Sequence, residues 1–268
     1  MSSEDLLDAL LPVAAAAGAE IRKVAAGGVE SREKPDASPV TEADERAERV
    51  ILDALSHLVP GELILAEEQA AAGGLPGEAA DVFWLVDPLD GTKEFIGGGT
   101  DYTVNIARIE DCRPALGLVF CPADGRIFAG SAAGGAWRGQ LDAAGKVTEH
   151  APIRTRKATD PLTIVASKSH GNTDTQAYLA RYPYARHVSI GSSLKFCLLA
   201  AGEADLYPRL GPTMEWDTAA GHAVLLAAGG RMTDAAGDDF RYYKPGFRNG
   251  HFLAWGDPAF TPNPLRRS

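Results

Sequence analysis

The first half of the chain contains several short apolar segments separated by Gly, Pro and Asp residues, and this pattern constrains the fold most. The segments lie at residues 82–86, 103–109, 115–120 and 126–129. Because short connections join strands that are neighbours in space, we expect these segments to form an antiparallel meander. A further short strand at residues 63–65 precedes them, and Glu67-Glu68 and a loop over residues 70–80 follow it.

Helical patterns lie on both sides of this predicted sheet. Four leucines between residues 6 and 11 recur at helical spacing, and a second helix is predicted from Thr41, a capping residue, with Asp44 in its first turn. From residue 162 the pattern becomes βαβ-like. Helices are expected there at residues 172–182, 193–202 and 218–228.

The chain turns polar around residues 150–160, and we place a boundary near residue 157. This predicts an N-terminal α+β sub-domain at residues 1–157, which holds the helix pair and the antiparallel sheet. A C-terminal α/β sub-domain is predicted at residues 158–268.

Composition and charge restrict the function classes. The chain carries a formal net charge of −10, which opposes broad binding to nucleic acid. No apolar run approaches the roughly 18 residues that a spanning helix requires, and the acidic start differs from a secretory signal. Cys112, Cys121 and Cys197 form no CxxC pair, as expected for free thiols in a reducing compartment. We therefore expect a cytoplasmic protein, with peripheral membrane association left open.

The segment Trp84–Thr92 is the most informative for chemistry. It is an apolar strand that runs into Asp87, Pro88, Asp90 and Gly91. Mg²⁺ prefers carboxylate oxygens, and Pro and Gly favour the tight turn that would direct both carboxylates to one place. The pattern indicates a metal site, and an Asp/Gly-rich turn without a metal is the alternative.

This segment resembles the signature of the inositol monophosphatase superfamily of lithium-sensitive, Mg²⁺-dependent phosphatases. Two companion motifs are present in the right order, Glu67-Glu68 after a strand and Trp216-Asp217 before an alanine-rich helix. The resemblance implies an α+β fold, the five-layer αβαβα sandwich that this superfamily shares with fructose-1,6-bisphosphatase. It also implies a metal site between two sub-domains.

Within the superfamily the chain is most similar to the branch of bacterial 3′(2′),5′-bisphosphate nucleotidases, from about Thr41 to Pro245. The segments that carry this similarity are 90–96, 103–107, 167–170, 191–197 and 207–213. The implied activity is Mg²⁺-dependent hydrolysis of adenosine 3′,5′-bisphosphate to AMP and phosphate by metal-activated water, with a place in sulfur metabolism. Use of the 5′-phosphosulfate form, the preference between 3′- and 2′-phosphates, and a homodimer are left open.

The resemblance also implies roles for individual residues. Two or three Mg²⁺ ions are expected, held by Glu67, Asp87, the Leu89 carbonyl, Asp90 and Asp217. The implied catalytic residues are Glu67 and Thr92, which orient the attacking water, and Asp44, which supports Thr92. The implied substrate-binding residues are Gly91, Thr92, Ser167, His170, Ser192, Ser193, Lys195, Arg209 and Asp217.

Several of these residues have a simpler alternative role. Asp44 fits a capping box, Asp217 fits a helix N-cap, and Ser192 and Ser193 fit caps of the helix at 193–202. Lys195 also fits a solvated surface position. The histidines other than His170 give no readable signal. The glycine-rich segment 97–102 departs from the branch, so its order and its contact with substrate are left open.

Two rival functions share much of this pattern. An inositol or sugar-phosphate phosphatase would keep the same metal motifs and differ in the pocket residues. A non-catalytic phosphonucleotide-binding protein would keep the fold without turnover. The complete set of carboxylates argues against the second rival, because a pure binder has no need of it.

Overall fold

The computed structural model describes residues 1–34, 39–73, 80–168 and 172–265. Over these ranges the chain forms the α-helices α1 Ser3–Gly27, α2 Glu42–Leu58, α3 Glu67–Ala71, α4 Thr92–Ile96, α5 Thr173–Leu179, α6 Leu194–Ala200 and α7 Ala219–Ala227. The strands are β1 Ser31–Glu33, β2 Pro39–Thr41, β3 Leu63–Ala66, β4 Val82–Asp90, β5 Thr103–Glu110, β6 Arg113–Phe120, β7 Arg126–Ser131, β8 Gly135–Leu141, β9 Val147–Ile153, β10 Thr163–Ser167, β11 Arg186–Ile190, β12 Leu206–Arg209, β13 Thr213–Met214, β14 Arg231–Asp234, β15 Arg248–Asn249 and β16 Phe252–Trp255.

The larger sheet has the strand order β3-β4-β5-β6-β7-β8-β9. β3 runs parallel to β4, and every later neighbour is antiparallel, so the predicted meander is confirmed. Side chains on β4 alternate between the two faces of this sheet. Trp84 and Val86 join a core with α1 and α2, whereas Phe83 and Leu85 join a second core with α6 and α7.

The smaller sheet has the order β11-β10-β12-β16-β14, with β10 parallel to both of its neighbours. Val165, Tyr207 and Phe252 belong to the core shared with α6 and α7. The alternate residues Ile164, Leu206 and Leu253 belong to a third core, which includes Tyr178 of α5. The layers are therefore α1/α2, larger sheet, α6/α7, smaller sheet and α5, which confirms the predicted αβαβα sandwich.

Helix α7 lies very close to the larger sheet because glycines face it. A Cβ at Gly117 of β6 would lie 2.4 Å from the Ala220 carbonyl oxygen, and one at Gly130 of β7 would lie 2.8 Å from the Ala227 Cβ. Only hydrogen at these two positions leaves room for the helix backbone. This close approach fixes the height of α7, and of Asp217 just before it, above the sheet.

Some sequence predictions differ from the structure in detail. The helices expected at 172–182, 193–202 and 218–228 are present but shorter, and β8 and β9 extend the meander into a stretch expected to be partly polar turn. The strand expected to end at Val86 continues to Asp90, because β4 keeps pairing with β5 across a register shift. Glu67 and Glu68 begin α3, and residues 74–79 of the expected loop lie outside the described residues.

The larger sheet ends at Ile153 and the smaller sheet begins at Thr163, but α6 and α7 contact both sheets. The division into sub-domains at residues 157 and 158 stays a prediction. Within the described ranges, no helix is long and apolar enough to cross a membrane. Cys112, Cys121 and Cys197 are free thiols, in agreement with the prediction.

Candidate metal centre and anion-binding pocket

A cavity of about 200 Å³ opens where the larger sheet meets the helices of the central layer. It gathers most of the residues that the sequence singled out, namely Glu67, Asp87, Leu89, Asp90, Gly91, Thr92, Ser167, Ser192, Lys195, Arg209 and Asp217. Asp44 and Ser193 lie behind its wall and contact residues that line it. His170 lies outside the described residues. The structure therefore brings together residues that are more than 100 positions apart in the chain.

The end of β4 is shaped to direct its side chains into this cavity. The pairing of β4 with β5 shifts register between Asp87 and Asp90, and Gly91 then takes a left-handed conformation with φ of 96°. A Cβ at Gly91 would lie 2.9 Å from the Asp101 carbonyl oxygen, so glycine is needed there for both conformation and space. Thr92 begins α4 directly after this turn.

Three carboxylates meet on the floor of the cavity. Glu67, Asp87 and Asp217 each offer an oxygen that lies within 4.8 Å of the other two. Burial raises the pKa of all three groups, and repulsion from neighbouring carboxylates raises them further. The Leu89 amide donates to Asp87 Oδ1 at 3.0 Å, and the Met214 amide donates to Asp217 Oδ2 at 2.8 Å.

This cluster fits a hard divalent cation. Carboxylate oxygens are the ligands that Mg²⁺ prefers, and a cation would relieve the mutual repulsion of three buried acidic groups. Among the described residues, the group of Glu67, Asp87 and Asp217 is the one whose ligand atoms lie close enough for a metal ion.

Lys34 stands beside this cluster, and the sequence gave no signal for it. Its Nζ lies 2.7 Å from Glu67 Oε1 and 2.7 Å from Glu68 Oε1. These ion pairs raise the pKa of Lys34 despite the opposing effect of its burial. One positive charge thus neutralises part of the acidic cluster, and the remaining charge is left for a metal.

Asp90 is held differently from the three clustered carboxylates. Its Oδ2 accepts hydrogen bonds from the Ser193 amide at 2.7 Å, from Ser192 Oγ at 2.8 Å and from Asn105 Nδ2 at 3.4 Å. Two of these donors belong to the turn before α6, in which Ser192 has a φ of 55°. Asp90 therefore joins the end of β4 to the start of α6, at the side of the carboxylate cluster.

The two roles considered for Asp44 occur together, on different oxygens. Asp44 Oδ2 accepts from the amide and hydroxyl of Thr41 at 2.8 and 2.7 Å, which completes the capping box of α2. Oδ1 accepts from Thr92 Oγ1 at 3.1 Å. Thr92 Oγ1 also lies 3.1 Å from the Leu89 carbonyl oxygen. Asp44 thus fixes the start of α2 and the hydroxyl of Thr92 at once.

The capping roles considered for Asp217, Ser192 and Ser193 are wrong. Thr218 is the N-cap of α7, and Asp217 instead accepts from the Met214 amide. Ser193 makes no side-chain cap on α6, and its hydroxyl donates to the Asp217 carbonyl oxygen at 2.9 Å. Ser192 directs its hydroxyl at Asp90. These side chains connect α6, β4 and α7 and do not cap a helix.

Another part of the cavity wall carries two buried cations, Lys195 and Arg209, and is called the cationic wall. Lys195 is 5% exposed, so a solvated surface position is wrong for it. Its Nζ donates to the Ser192 carbonyl oxygen at 2.6 Å and to that of Ile190 at 3.3 Å, and burial lowers its pKa to about 8. Arg209 is also buried, and its Nη2 donates to the Pro212 carbonyl oxygen at 2.9 Å. Among the described residues, the buried Nε of Arg209 has no hydrogen-bond partner.

One cavity therefore contains a carboxylate cluster suited to a divalent cation and a buried guanidinium with a donor that no described residue satisfies. Such an arrangement can bind an anion that carries two charged groups, one at the metal and one at the arginine. Arg209 reaches the cavity from β12 of the smaller sheet, whereas Asp87 comes from β4 of the larger sheet. The site thus depends on both sheets.

Comparison with known proteins gives a consistent result. The model of a family described as the inositol monophosphatase family matches residues 2–257. A protein of Escherichia coli strain K12 named 3′(2′),5′-bisphosphate nucleotidase CysQ is 42% identical over 251 residues, which span 91% of this chain and 98% of that protein.

Solved structures agree with the fold. The crystal structure of CysQ from Bacteroides thetaiotaomicron, described as a bacterial member of the inositol monophosphatase family, is 33% identical with a TM-score of 0.75. The match covers 92% of this chain and 96% of the chain of that structure. An inositol monophosphatase from Zymomonas mobilis is 26% identical with a TM-score of 0.75, and the match covers 96% of this chain and 95% of that one.

Proposed function

Because this chain belongs to the inositol monophosphatase family, we propose that it is a Mg²⁺-dependent 3′(2′),5′-bisphosphate nucleotidase that hydrolyses adenosine 3′,5′-bisphosphate to AMP and phosphate. The observation that carries this proposal is the pairing, in one cavity, of the Glu67, Asp87 and Asp217 cluster with the buried cations Lys195 and Arg209. A substrate with phosphates at both ends of a ribose matches these two regions of charge. The 42% identity to a protein of that name supports the same substrate.

The metal ligands of the proposed enzyme are Glu67, Asp87, Asp217, Asp90 and the Leu89 carbonyl. Bound Mg²⁺ would supply positive charge next to the scissile phosphate and lower the pKa of a coordinated water. The proposal includes two or three ions. The cluster of three carboxylates would hold one of them, and Asp90, which lies beside the cluster and whose Oδ2 accepts hydrogen bonds from the start of α6, would help to hold another.

Thr92 is the proposed positioning group for the attacking water. When the Thr92 hydroxyl donates its hydrogen bond to Asp44 Oδ1, at 3.1 Å, the lone pairs of Oγ1 can accept a hydrogen bond from a water molecule in the cavity. Glu67 would orient the same water from the floor. The water oxygen would attack phosphorus in line and lose one proton, the bond from phosphorus to the 3′-oxygen would break, and the leaving oxygen would take up one proton, so that the step balances.

The amides of Gly91 and Thr92, at the tight turn before α4, would contact the transferring phosphate. Arg209, whose Nε has no hydrogen-bond partner among the residues that the structure describes, would hold the second phosphate. Lys195, Ser192 and Ser167 line the same cavity and belong to the proposed substrate site. Ser193, behind the wall, and His170, outside the described residues, are included in this proposal from the family resemblance.

The substrate test is an assay of released phosphate with adenosine 3′,5′-bisphosphate, its 5′-phosphosulfate form, inositol 1-phosphate and fructose 1,6-bisphosphate, each with and without Mg²⁺. We expect turnover of the adenosine substrates that disappears with chelator. Preference for inositol 1-phosphate would assign the chain to the inositol phosphatases. Tight binding of adenosine 3′,5′-bisphosphate without phosphate release would identify a binding protein.

Inhibition by Li⁺ extends this proposal, because a small monovalent cation that replaces Mg²⁺ in the carboxylate cluster brings too little charge. The test is the rate at limiting Mg²⁺ with millimolar LiCl, and with NaCl as the matched control. Equal rates in the two salts would contradict it. A cytoplasmic location, a role in sulfur metabolism and a homodimer also belong to this proposal, and the three free cysteines agree with a reducing compartment.

A further inference from the structure

Glu48 of α2 is a buried carboxylate that does not line the cavity and was not singled out by the sequence. It lies one helical turn after Asp44, and it is 6% exposed. Both of its oxygens are used. Oε2 accepts from the Glu68 amide at 2.8 Å, and Oε1 accepts from the Gln69 amide at 2.9 Å. Glu48 therefore holds the backbone of α3 from a different helix.

Helix α3 needs hydrogen bonds from outside because it is too short to be stable alone. It is five residues long, and its N-cap is Ala66, which offers no side-chain hydrogen bond. The first amides of a helix have no partner within it, and a helix this short is unstable alone. Glu48 supplies the missing acceptors from α2, a 17-residue helix with its own capping box.

Glu67 is the first residue of α3, directly before the two amides that Glu48 binds. Fixing these amides fixes the backbone from which the Glu67 side chain reaches the carboxylate cluster. Asp44 and Glu48 thus lie at i and i+4 on α2, where both face the same side, and each supports a different part of the site. Asp44 holds the Thr92 hydroxyl, and Glu48 holds α3.

We propose that Glu48 is a positioning residue that sets Glu67 for Mg²⁺ binding, which rests on the proposed function in that Glu67 is taken as a metal ligand. Glu48 acts through the amides of Glu68 and Gln69 and contacts neither metal nor substrate. A role in stability alone does not require a carboxylate at this place, because a buried carboxylate close to other carboxylates is unfavourable.

The test uses two variants. One removes the charge of Glu48, and the other shortens its side chain. Glu48→Gln keeps the length of the side chain but replaces one acceptor oxygen with a donor. Glu48→Asp keeps the charge but is one methylene too short to reach both amides. Asp53→Asn, at an exposed position of the same helix, is the matched control. Mg²⁺ binding is measured by calorimetry, and the Mg²⁺ dependence of the rate is measured on adenosine 3′,5′-bisphosphate.

Both Glu48 variants should raise the Mg²⁺ concentration for half-maximal rate, and the Mg²⁺ dissociation constant, about tenfold, as is typical when a partner behind a metal ligand is changed. KM for the substrate at saturating Mg²⁺ should stay within about twofold, and Asp53→Asn should match wild type. A fall in melting temperature with unchanged Mg²⁺ dependence would overturn the proposal. Weakened Mg²⁺ binding in Glu48→Gln but not in Glu48→Asp would assign the effect to charge and overturn it as well.

These measurements distinguish a failure of the proposed function from a failure of the role of Glu48. If wild type binds Mg²⁺ but releases no phosphate from any substrate, calorimetry on the variants still tests Glu48. If wild type binds no Mg²⁺, the metal assignment and the role of Glu48 both fall. Normal wild-type turnover together with unchanged variants would remove the role of Glu48 alone.

Discussion

The two walls of the cavity satisfy their charges in different ways. On the acidic wall, Glu67, Asp87 and Asp217 crowd together, and repulsion and burial raise the pKa of each. On the cationic wall, Lys195 and Arg209 donate to backbone carbonyl oxygens of their own surroundings. The acidic wall is therefore incomplete without a cation, whereas the cationic wall is already largely in place. The comparison predicts that changes on the acidic wall alter metal binding and chemistry, and changes on the cationic wall alter affinity and specificity.

The largest effect is expected from Asp87→Asn, which keeps the shape of a buried ligand and removes its charge. The rate constant kcat should fall ~100-fold or more, because an electrostatic group at the reacting phosphate is lost. The metal-free variant should melt at a higher temperature than metal-free wild type, because one repelling charge is gone. Steady-state kinetics and thermal melts in chelator measure the two effects.

Asp53→Asn, at an exposed position of α2, is the control for Asp87→Asn and should match wild type in both measurements. A variant that keeps more than a tenth of the wild-type rate would contradict the role of Asp87. A lower melting point of the metal-free variant would contradict the view that the acidic wall is strained without a cation.

The next largest effect is expected from Arg209→Ala. A charge-assisted contact to phosphate is worth roughly 1.5–3 kcal/mol, so KM for adenosine 3′,5′-bisphosphate should rise about ten- to hundredfold with little change in kcat. KM for a monophosphate that lacks the second charged group should change little. Equal losses on every phosphate ester would show that Arg209 supports the fold or the metals.

Lys195→Ala should change both KM and kcat, whereas Arg209→Ala should change mainly KM. Lys195 Nζ holds the carbonyl oxygen of Ser192, and the hydroxyl of Ser192 donates to Asp90. We therefore expect a rise in KM of about tenfold together with a fall in kcat, because the turn that holds Asp90 is loosened. The ratio of the two changes, measured beside Arg209→Ala, tests this distinction. A pure KM effect would mean that Lys195 acts on the substrate alone.

The smallest effect is a pH dependence of stability in metal-free protein. Burial raises the pKa of Glu68 from 4.5 to about 8 and that of Glu48 to about 7. A carboxyl group with a raised pKa favours the folded state most at low pH, and this contribution is lost as pH rises through the folded-state value. The free energy of unfolding should therefore fall between about pH 5 and pH 8.

Thermal melts across this range, in chelator and in saturating Mg²⁺, measure the effect. We expect the melting temperature in chelator to fall by a few degrees as pH rises, and the slope to vanish or reverse with Mg²⁺, which binds the deprotonated groups. Asp87→Asn should show a shallower slope in chelator than wild type. Parallel curves with and without Mg²⁺ would contradict a metal at the acidic wall.

The sequence predicted the acidic wall better than its surroundings. Asp87, Asp90 and Gly91 lie in one short segment whose turn and ligand chemistry are local, so the residues carry the signal themselves. Lys34 and Glu48 gave no signal, because each sits in an ordinary loop or helix and gains its role only from residues about 20 to 34 positions away. Tertiary contacts of this kind leave no periodicity or motif.

The fold also divides into elements that local sequence patterns predict and elements that they do not. The meander and five of the helices, α1, α2, α5, α6 and α7, follow from local patterns, whereas β8 and β9 were not predicted. β9 lies at the edge of the larger sheet and exposes most of its side chains, so it lacks the apolar alternation that identifies a half-buried strand. The burial of Lys195 was equally hidden, since a lysine one turn inside a helix has the same spacing whether it faces solvent or a cavity.

The central helical layer has a consequence for synthesis of the chain. The larger sheet is complete at Ile153, but the helices that cover its inner face end only at Ala227. At ~5–20 residues per second, a ribosome needs about 4–15 seconds to add that stretch. During this interval the apolar inner face, with Phe83, Leu85 and Val119, has no cover from its own chain. The speed at which the second half is translated therefore sets how long this apolar face is exposed, and exposed apolar surface of this kind is prone to aggregate.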